Sequence, residues 1–245
     1  VQLGTGLGAT ETAPFSLFNT DPDAEAGCIG VPAKGITLKL VPVEGKWEVR
    51  LKGPNVTPGY WRNEKLTREA FDEEGFYCLG DALRFAEPGN PAKGFFFDGR
   101  VAENFKLSTG TWVSVGALRA KLTDALGGLA RDAVIVGEGE DSLGALLVPF
   151  RPAIEALVGQ AGLSDAELCA HPALHAAIAE RLKAYNATAT GSSLRVPRVM
   201  MLVEPLNLDR GEVTDKGSVN QRAVRSHRAD LVAALYAGDA RVIRG

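Results

Sequence analysis

The chain has 245 residues, 45% of them hydrophobic and 23% charged, and its 27 Lys and Arg against 30 Asp and Glu give a net charge of −3. That length can bury the core of one large or two modest domains. The charge balance excludes an overall basic field that would recruit nucleic acid or an anionic membrane surface. Cys28, Cys78 and Cys169 are widely separated, with no CxxC and no metal-ligand spacing. That pattern fits a reducing compartment, so a cytoplasmic setting is expected. No apolar run approaches the length of a membrane-spanning helix, and VQLGTGLGATE has no charged segment leading into an apolar stretch. Val1 is not an initiator Met, and a glycine-rich loop arrives with almost nothing before it to hold it. The chain therefore reads as the C-terminal part of a longer protein, whose missing N-terminal part is its first expected partner.

In chain order, residues 1–99 read as β-rich. Residues 36–40 and 47–51 alternate apolar and polar side chains at the period of half-buried strands, and the Val43-Glu44-Gly45-Lys46 turn between them predicts a hairpin. Gly53-Pro54, Pro58-Gly59 and Glu74-Gly75 are further breakers, and Phe95-Phe96-Phe97 opens another strand. Repeated short strands of this kind point to a barrel-like subdomain. After Gly99-Arg100 the texture changes. Helical spacing over 115–126 is followed by buried strands at 133–136 and 145–148, an alanine-rich helix over 172–184, a strand at 199–203 and a final helix over 220–235. Residues 100–245 therefore read as a small α+β domain, and the whole chain as α+β.

Three segments and one loop carry candidate chemistry. Gly4-Thr5-Gly6-Leu7-Gly8-Ala9-Thr10-Glu11-Thr12 contains a relaxed dinucleotide fingerprint, but Pro14 follows at once and no helical period begins, so that reading is rejected. Two readings stay open: a strand-end turn, or a loop whose backbone approaches a nucleotide while Thr10 offers a hydroxyl and Glu11 a carboxylate. Phe76 to Asp81 reads as an apolar strand ending in Gly-Asp; taken alone this is an ordinary strand-end turn, but it also places Asp81 at a rim where it can accept from vicinal hydroxyls. Phe97 to Val113 spans the composition boundary, with Arg100 placed as a buried-looking hinge residue and a small-residue tip at Ser108-Thr109-Gly110. Finally, Lys216 sits in a polar, glycine-marked loop before an amphipathic helix; alone it reads as a solvated loop lysine, but a flexible cation there can also meet phosphate or carboxylate oxygens. The neighbouring Arg222, Arg225, His227 and Arg228 read as a solvated helix face. His171 and His175 read as helix-cap and surface residues rather than zinc ligands, and Trp47, Trp61 and Trp112 as packing residues.

In this order the segments resemble the adenylate-forming superfamily of acyl-CoA synthetases, luciferases and peptide-synthetase adenylation domains. Gly8-Ala9-Thr10-Glu11 is similar to its Y-G-x-T-E motif, Leu79-Gly80-Asp81 to T-G-D, Gly99-Arg100 to the G-R that opens its hinge, and Lys216 to the lysine of its C-terminal loop. KLSTGTWVSVG, from Lys106 to Gly116, looks most like the feruloyl-CoA synthetase subgroup, with carboxylic acid reductase adenylation domains close behind. The resemblance implies an enzyme that activates a carboxylic acid, an aromatic or hydroxycinnamic one in that subgroup, with ATP to acyl-AMP and passes it to CoA. It implies that Thr10 contacts the α-phosphate, Glu11 ligates Mg²⁺, Asp81 holds the ribose hydroxyls and Arg100 approaches ribose and phosphate. Ser108 and Gly110 would line the pantetheine tunnel, and Lys216 would bridge the substrate carboxylate and the α-phosphate. Leu7 stands where the family carries an aromatic, Leu79 where it carries Thr, and Ala102-Glu103 where its hinge carries Asp or Lys. The loop that cradles the β- and γ-phosphates and most of the acyl pocket are expected upstream of Val1, so the isolated chain is expected to be inactive.

Overall fold

The computed structural model describes residues 4–43, 45–160 and 162–245; Val1 and the Glu44 position of the predicted turn lie outside them. The chain has a mixed α+β fold and divides into two compact units, Val1–Ala102 and Glu103–Gly245. Arg100 thus belongs to the first. Among the described residues no helix is long and apolar enough to cross a membrane.

The first unit is built on strands β1 (Gly6–Leu7), β2 (Leu17–Phe18), β3 (Cys28–Pro32), β4 (Thr37–Val43) and β5 (Lys46–Lys52), one short helix α1 (Glu64–Ala70), then β6 (Tyr77–Glu87) and β7 (Asn90–Arg100). They form one seven-stranded sheet in the order β1-β2-β3-β7-β6-β5-β4, with every pairing antiparallel. The expected hairpin is present, with Val43 opposite Lys46 and Thr37 opposite Lys52. Alternation sends Val49 and Leu51 into a core with Leu17, Ile29, Leu83 and Phe95, while Glu48 and Arg50 point the other way. On that outer face Lys39 lies directly opposite Arg50, a like-charge pairing that would destabilise the ladder. Asp72 removes the conflict by accepting from Lys39 at 2.7 Å and Arg50 at 3.1 Å, and these bonds, Lys39 first, hold its carboxyl far below the ordinary value. Trp61 does not pack: it is 87% exposed on the turn ahead of α1.

The second unit opens with a two-strand ribbon, β8 (Phe105–Lys106) and β9 (Trp112–Val113), followed by α2 (Val115–Ala125). Next come β10 (Ala130–Val136), β11 (Gly144–Pro149), α3 (Arg151–Val158), α4 (Asp165–Cys169), α5 (Pro172–Thr188) and β12 (Arg198–Met201). Helices α6 (Gln221–His227) and α7 (Ala229–Ala237) and strand β13 (Ile243–Arg244) complete it. The sheet order is β10-β11-β12-β13; β11 and β12 are parallel, and α3 to α5 make the crossover that a parallel pair requires. Apolar runs in these strands are continuous because both faces are covered. Ala133, Ile135, Ala145, Leu147, Val199 and Met201 face one core with α2 and the crossover helices; Val134, Val136, Leu146, Val148 and Met200 face another with α6 and α7. Helix α5 buries Leu174, Ile178 and Leu182 at a spacing of four, and Asn186 continues the stripe by bonding the Val196 backbone in both directions. His171 caps α5, accepting from the amide of Ala173, as expected.

The predicted final helix is two helices. They meet at Arg228, whose side chain is buried, so the basic cluster is not a solvated face throughout.

Candidate functional site

The glycines of the opening segment are required by a tight turn. A Cβ on Gly8 would lie 2.3 Å from the backbone of Pro14, and one on Gly6 would lie 2.5 Å from the Leu17 carbonyl. Between β1 and β2 the chain makes a short 3-10 turn, Thr10–Thr12, held by the buried Thr12 hydroxyl against the Ala9 amide at 2.8 Å. Asn55 reinforces it by donating to the Thr12 and Phe15 carbonyls. Thr10 is left exposed at the start of this turn. The half-buried Glu11 carboxylate accepts from the Tyr60 hydroxyl at 2.9 Å, and Tyr60 meets the Tyr77 hydroxyl at 3.4 Å. Burial raises the Tyr77 phenol well above its ordinary value, so it stays protonated as a neutral neighbour of Glu11. Leu7, where an aromatic was expected, packs against the first core instead.

Asp81 does not end a strand. It lies inside β6, at a bulge that the sequence disguises as a terminator. Opposite β5, Glu48 pairs Ala82 and Arg50 pairs Cys78, so Val49 alone spans Leu79, Gly80 and Asp81. Gly80 absorbs the extra length at φ +75° with open space around it. On the other side, Asp81 pairs Arg100 and Leu83 pairs Phe97, a second irregularity with Gly99 at φ +84°. Asp81 and Arg100 are therefore brought together, Arg100 Nε lying 3.3 Å from the buried Asp81 carboxylate. The Arg100 side chain is 63% exposed, not buried as its position suggested. Two residues before Arg100, the Asp98 carboxylate is met by Lys46 at 3.1 Å.

In the second unit the Ser108-Thr109-Gly110 tip joins β8 to β9. Gly110 takes φ +81°, and its amide closes the turn on the Leu107 carbonyl at 2.9 Å. The tip is docked rather than free: Ser108 donates to Asp141 at 2.5 Å, its amide bonds the Glu140 carbonyl, and the Gly139 amide bonds the Lys106 carbonyl.

Lys216 sits at the exposed end of a second loop. An isolated bridge between Val213 and Val219 closes its base, and within it the amides of Thr214, Gly217 and Ser218 are bonded to the Ser218 carbonyl, the Thr214 carbonyl and the Thr214 hydroxyl. Among the described residues no acidic group forms an ion pair with Lys216. Each end of the loop is anchored by a buried side chain. Glu212 accepts from Arg228 Nε at 2.9 Å and Nη2 at 3.0 Å, and from the Asn207 amide at 2.9 Å. Gln221 bonds both the Ile135 amide and the Ala133 carbonyl at 2.9 Å, which pairs part of the open edge of β10.

Residues 106–240, more than half of the chain, match the family model described as the AMP-binding enzyme C-terminal domain. The chain belongs to the AMP-binding enzyme family. It is similar to the carboxylic acid reductase of Segniliparus rugosus, at 28% identity over 97% of this chain and 19% of that protein. It is also similar to the long-chain-fatty-acid–CoA ligase FadD15 of Mycobacterium tuberculosis, at 30% identity over 95% of this chain and 37% of that one. Among solved structures, the A domain of the Segniliparus rugosus reductase, in complex with AMP and a co-purified carboxylic acid, shares the fold at TM-score 0.72 and 24% identity, over 97% of this chain and 36% of that one. The anthranilate CoA ligase AuaEII, bound to anthranoyl-AMP, does so at TM-score 0.65 and 22% identity, over 95% and 40%. The chain thus spans well under half of the length of these relatives, which lie in the adenylate-forming superfamily.

Ser108, Gly110 and Lys216 lie within the family-matched residues, and Thr10, Glu11, Asp81 and Arg100 lie outside them. The structure brings Asp81 to Arg100 and Ser108 to Gly110, whereas Lys216 stands on a loop of its own. Sequence reasoning missed Tyr60 as the partner of Glu11, Asp141 as the anchor of Ser108, and the Glu212–Arg228 pair. The one available signal was Glu212 itself, a carboxylate four residues ahead of the lysine.

Proposed function

We propose that the chain is the C-terminal portion of an ATP-dependent acid–thiol ligase, in which Lys216 bridges the substrate carboxylate and the α-phosphate during acyl-AMP formation. What supports this most is the setting of Lys216: an exposed ammonium without an acidic partner among the described residues, at the end of a loop whose two feet are buried. A carboxylate attacking the α-phosphorus brings two anions together. A preorganised cation lowers that repulsion without having to leave an existing ion pair. Attack forms the carbon-bound oxygen–phosphorus bond and breaks the bond to pyrophosphate, which leaves with its electron pair.

The other residues serve substrate binding. Asp81 accepts from the ribose hydroxyls, Arg100 neutralises charge beside it, and Thr10 donates to the α-phosphate. Glu11 fits Mg²⁺ as a single carboxylate ligand, the way such an ion is held when water and phosphate oxygens fill its remaining positions. When bound, that ion offsets the charge of the phosphates. For the second step the second unit turns as a lid about residues near Arg100, and Ser108 and Gly110 line the path of the CoA thiol. The acid is aromatic, of the hydroxycinnamic type, on the likeness of Lys106 to Gly116 to feruloyl-CoA synthetases.

The test is Lys216→Ala in the full-length enzyme, with each half-reaction followed in a single turnover. Adenylation falls by about 10²–10³, whereas thioester formation from supplied acyl-adenylate persists. Equal loss of both steps rejects the role. A second reading, the adenylation part of a reductase or carrier-loading enzyme, is favoured by the similarity to the Segniliparus rugosus reductase. Acyl-CoA formed from free CoA supports the ligase; transfer only to a phosphopantetheinyl carrier supports the alternative.

A further inference from the structure

We infer that the buried Glu212–Arg228 pair is a positioning device for Lys216, setting where the lysine loop stands rather than merely adding to the stability of the unit. This rests on the role proposed for Lys216.

Four observations carry it. First, Glu212 is fully buried and immediately precedes the Val213–Val219 bridge, so its carboxylate fixes the last backbone unit before the loop departs. Second, the carboxylate is satisfied from both sides. Arg228 contributes Nε and Nη2 as a fork, and the Asn207 amide bonds Oε2 at 2.9 Å. A bidentate fork fixes direction as well as distance, which a point charge would not do. Third, the backbone repeats the tie: the Glu212 amide bonds the Asn207 carbonyl at 3.0 Å, and the Asn220 amide bonds the Glu212 carbonyl at 2.9 Å. Both feet of the loop thus meet at one residue. Fourth, Arg228 is placed by an interruption in the helical structure. It occupies the junction between α6 and α7 at φ −112° and ψ 30°, and its Nη2 also donates to the Pro205 carbonyl at 3.1 Å while Nη1 meets Glu204.

An ion pair made only to stabilise has no need of this arrangement, because buried pairs are seldom more stabilising than apolar packing of the same volume. What such a pair supplies well is a unique geometry. Here that geometry lies four residues from the ammonium group, at the root of the loop, beside the Val213–Val219 bridge that closes its base.

The experiment is a double-mutant cycle in the full-length enzyme, with adenylation followed by pyrophosphate release from ATP and the acid. Glu212→Gln keeps the shape but weakens the fork, and it is expected to lower the adenylation rate about ten- to a hundredfold, as a misplacement on the order of 1 Å does. Because Glu212 acts through Lys216, the Glu212→Gln, Lys216→Ala double variant is expected to be no slower than Lys216→Ala alone. Amide exchange is expected to quicken over 213–219 and to stay slow in β10 and β11. If Glu212→Gln does not fold, Arg228→Lys, which retains the charge and loses the fork, is put through the same cycle. An unchanged rate in the single variant overturns the inference and leaves the lysine reading standing, as does a loss that multiplies with that of Lys216→Ala. Undiminished adenylation in Lys216→Ala overturns both.

Discussion

The two units hold their candidate groups by different means. In the first, Asp81 and Arg100 sit on paired strands, and it is irregularities in the ladder, relieved by Gly80 and Gly99, that aim them. In the second, Ser108, Gly110 and Lys216 sit at loop tips, and side chains at or near the loop bases do the aiming: Asp141 for one loop, Glu212 and Gln221 for the other. Groups on a sheet are fixed by many neighbours at once. Groups on a loop depend on one or two ties, so a single substitution there ought to be felt sharply and locally.

The buried clamp gives the largest effect on stability. Arg228→Met strips the buried Glu212 carboxyl of its fork, and removing one member of a buried pair costs about 3–5 kcal/mol. Urea unfolding of the chain followed by circular dichroism measures it. The pair also sets a pH dependence. Hydrogen bonds from Arg228, opposed by burial, hold the Glu212 carboxyl below its ordinary value of 4.5. Its contribution is therefore complete above that value and is lost as pH falls through the lower folded-state value. Wild-type chain is expected to lose stability below pH 4.5 more steeply than Glu212→Gln; parallel curves would dissolve the contrast between loop and sheet.

Asp81→Ala comes next. On the ribose role proposed for Asp81, the loss of a single hydrogen bond to a charged acceptor costs about 1.5–3 kcal/mol, so AMP affinity in the full-length enzyme is expected to fall at least roughly ten- to a hundredfold by calorimetric titration. Because the ladder holds the backbone without this side chain, the unfolding midpoint is expected to change little.

The sequence carried the second unit's strands clearly, since burial on both faces leaves unbroken apolar runs at 133–136 and 145–148. Helix α3 escaped notice although Pro152 stands within its first turn, because eight residues hold too few turns to display a period. The final helix was read as continuous because its apolar spacing continues through Arg228; only the distant carboxylate, 16 residues earlier in the chain, reveals the break. Asp81 was legible as a candidate but not as an interior strand residue, since a glycine at a bulge and a glycine at a strand end look alike in one dimension. Of the candidate site, the residues with distinctive chemistry could be read and those that hold them could not. Tyr60, Asp141 and Arg228 act across sequence separations of 49, 33 and 16 residues, where no local pattern reaches.

Two glycine substitutions sharpen the comparison at smaller cost. Gly80→Ala and Gly110→Ala each force a side chain onto positive φ, at +75° and +81°, with nothing within 4 Å of the new Cβ, so both meet strain of about 1–3 kcal/mol and no clash. The consequences differ by location. At Gly80 the bulge can relieve strain only by moving Asp81 or its pairing with Arg100, so nucleotide affinity is expected to fall along with stability. At Gly110 the tip can yield alone, so stability is expected to fall by less, with AMP affinity unchanged.

Ser108→Ala is the smallest change. It removes an exposed hydrogen bond to Asp141 but leaves the Ser108 amide on the Glu140 carbonyl and the Gly139 amide on the Lys106 carbonyl. With two backbone ties intact and both side chains in solvent, the cost is about 0.5–1.5 kcal/mol at most. If adenylation is unaffected while the second half-reaction slows, the tip serves the thiol and not the nucleotide. A variant that slowed adenylation instead would place Ser108 with Lys216 in the first step, and the two loops would then have to be read as one site.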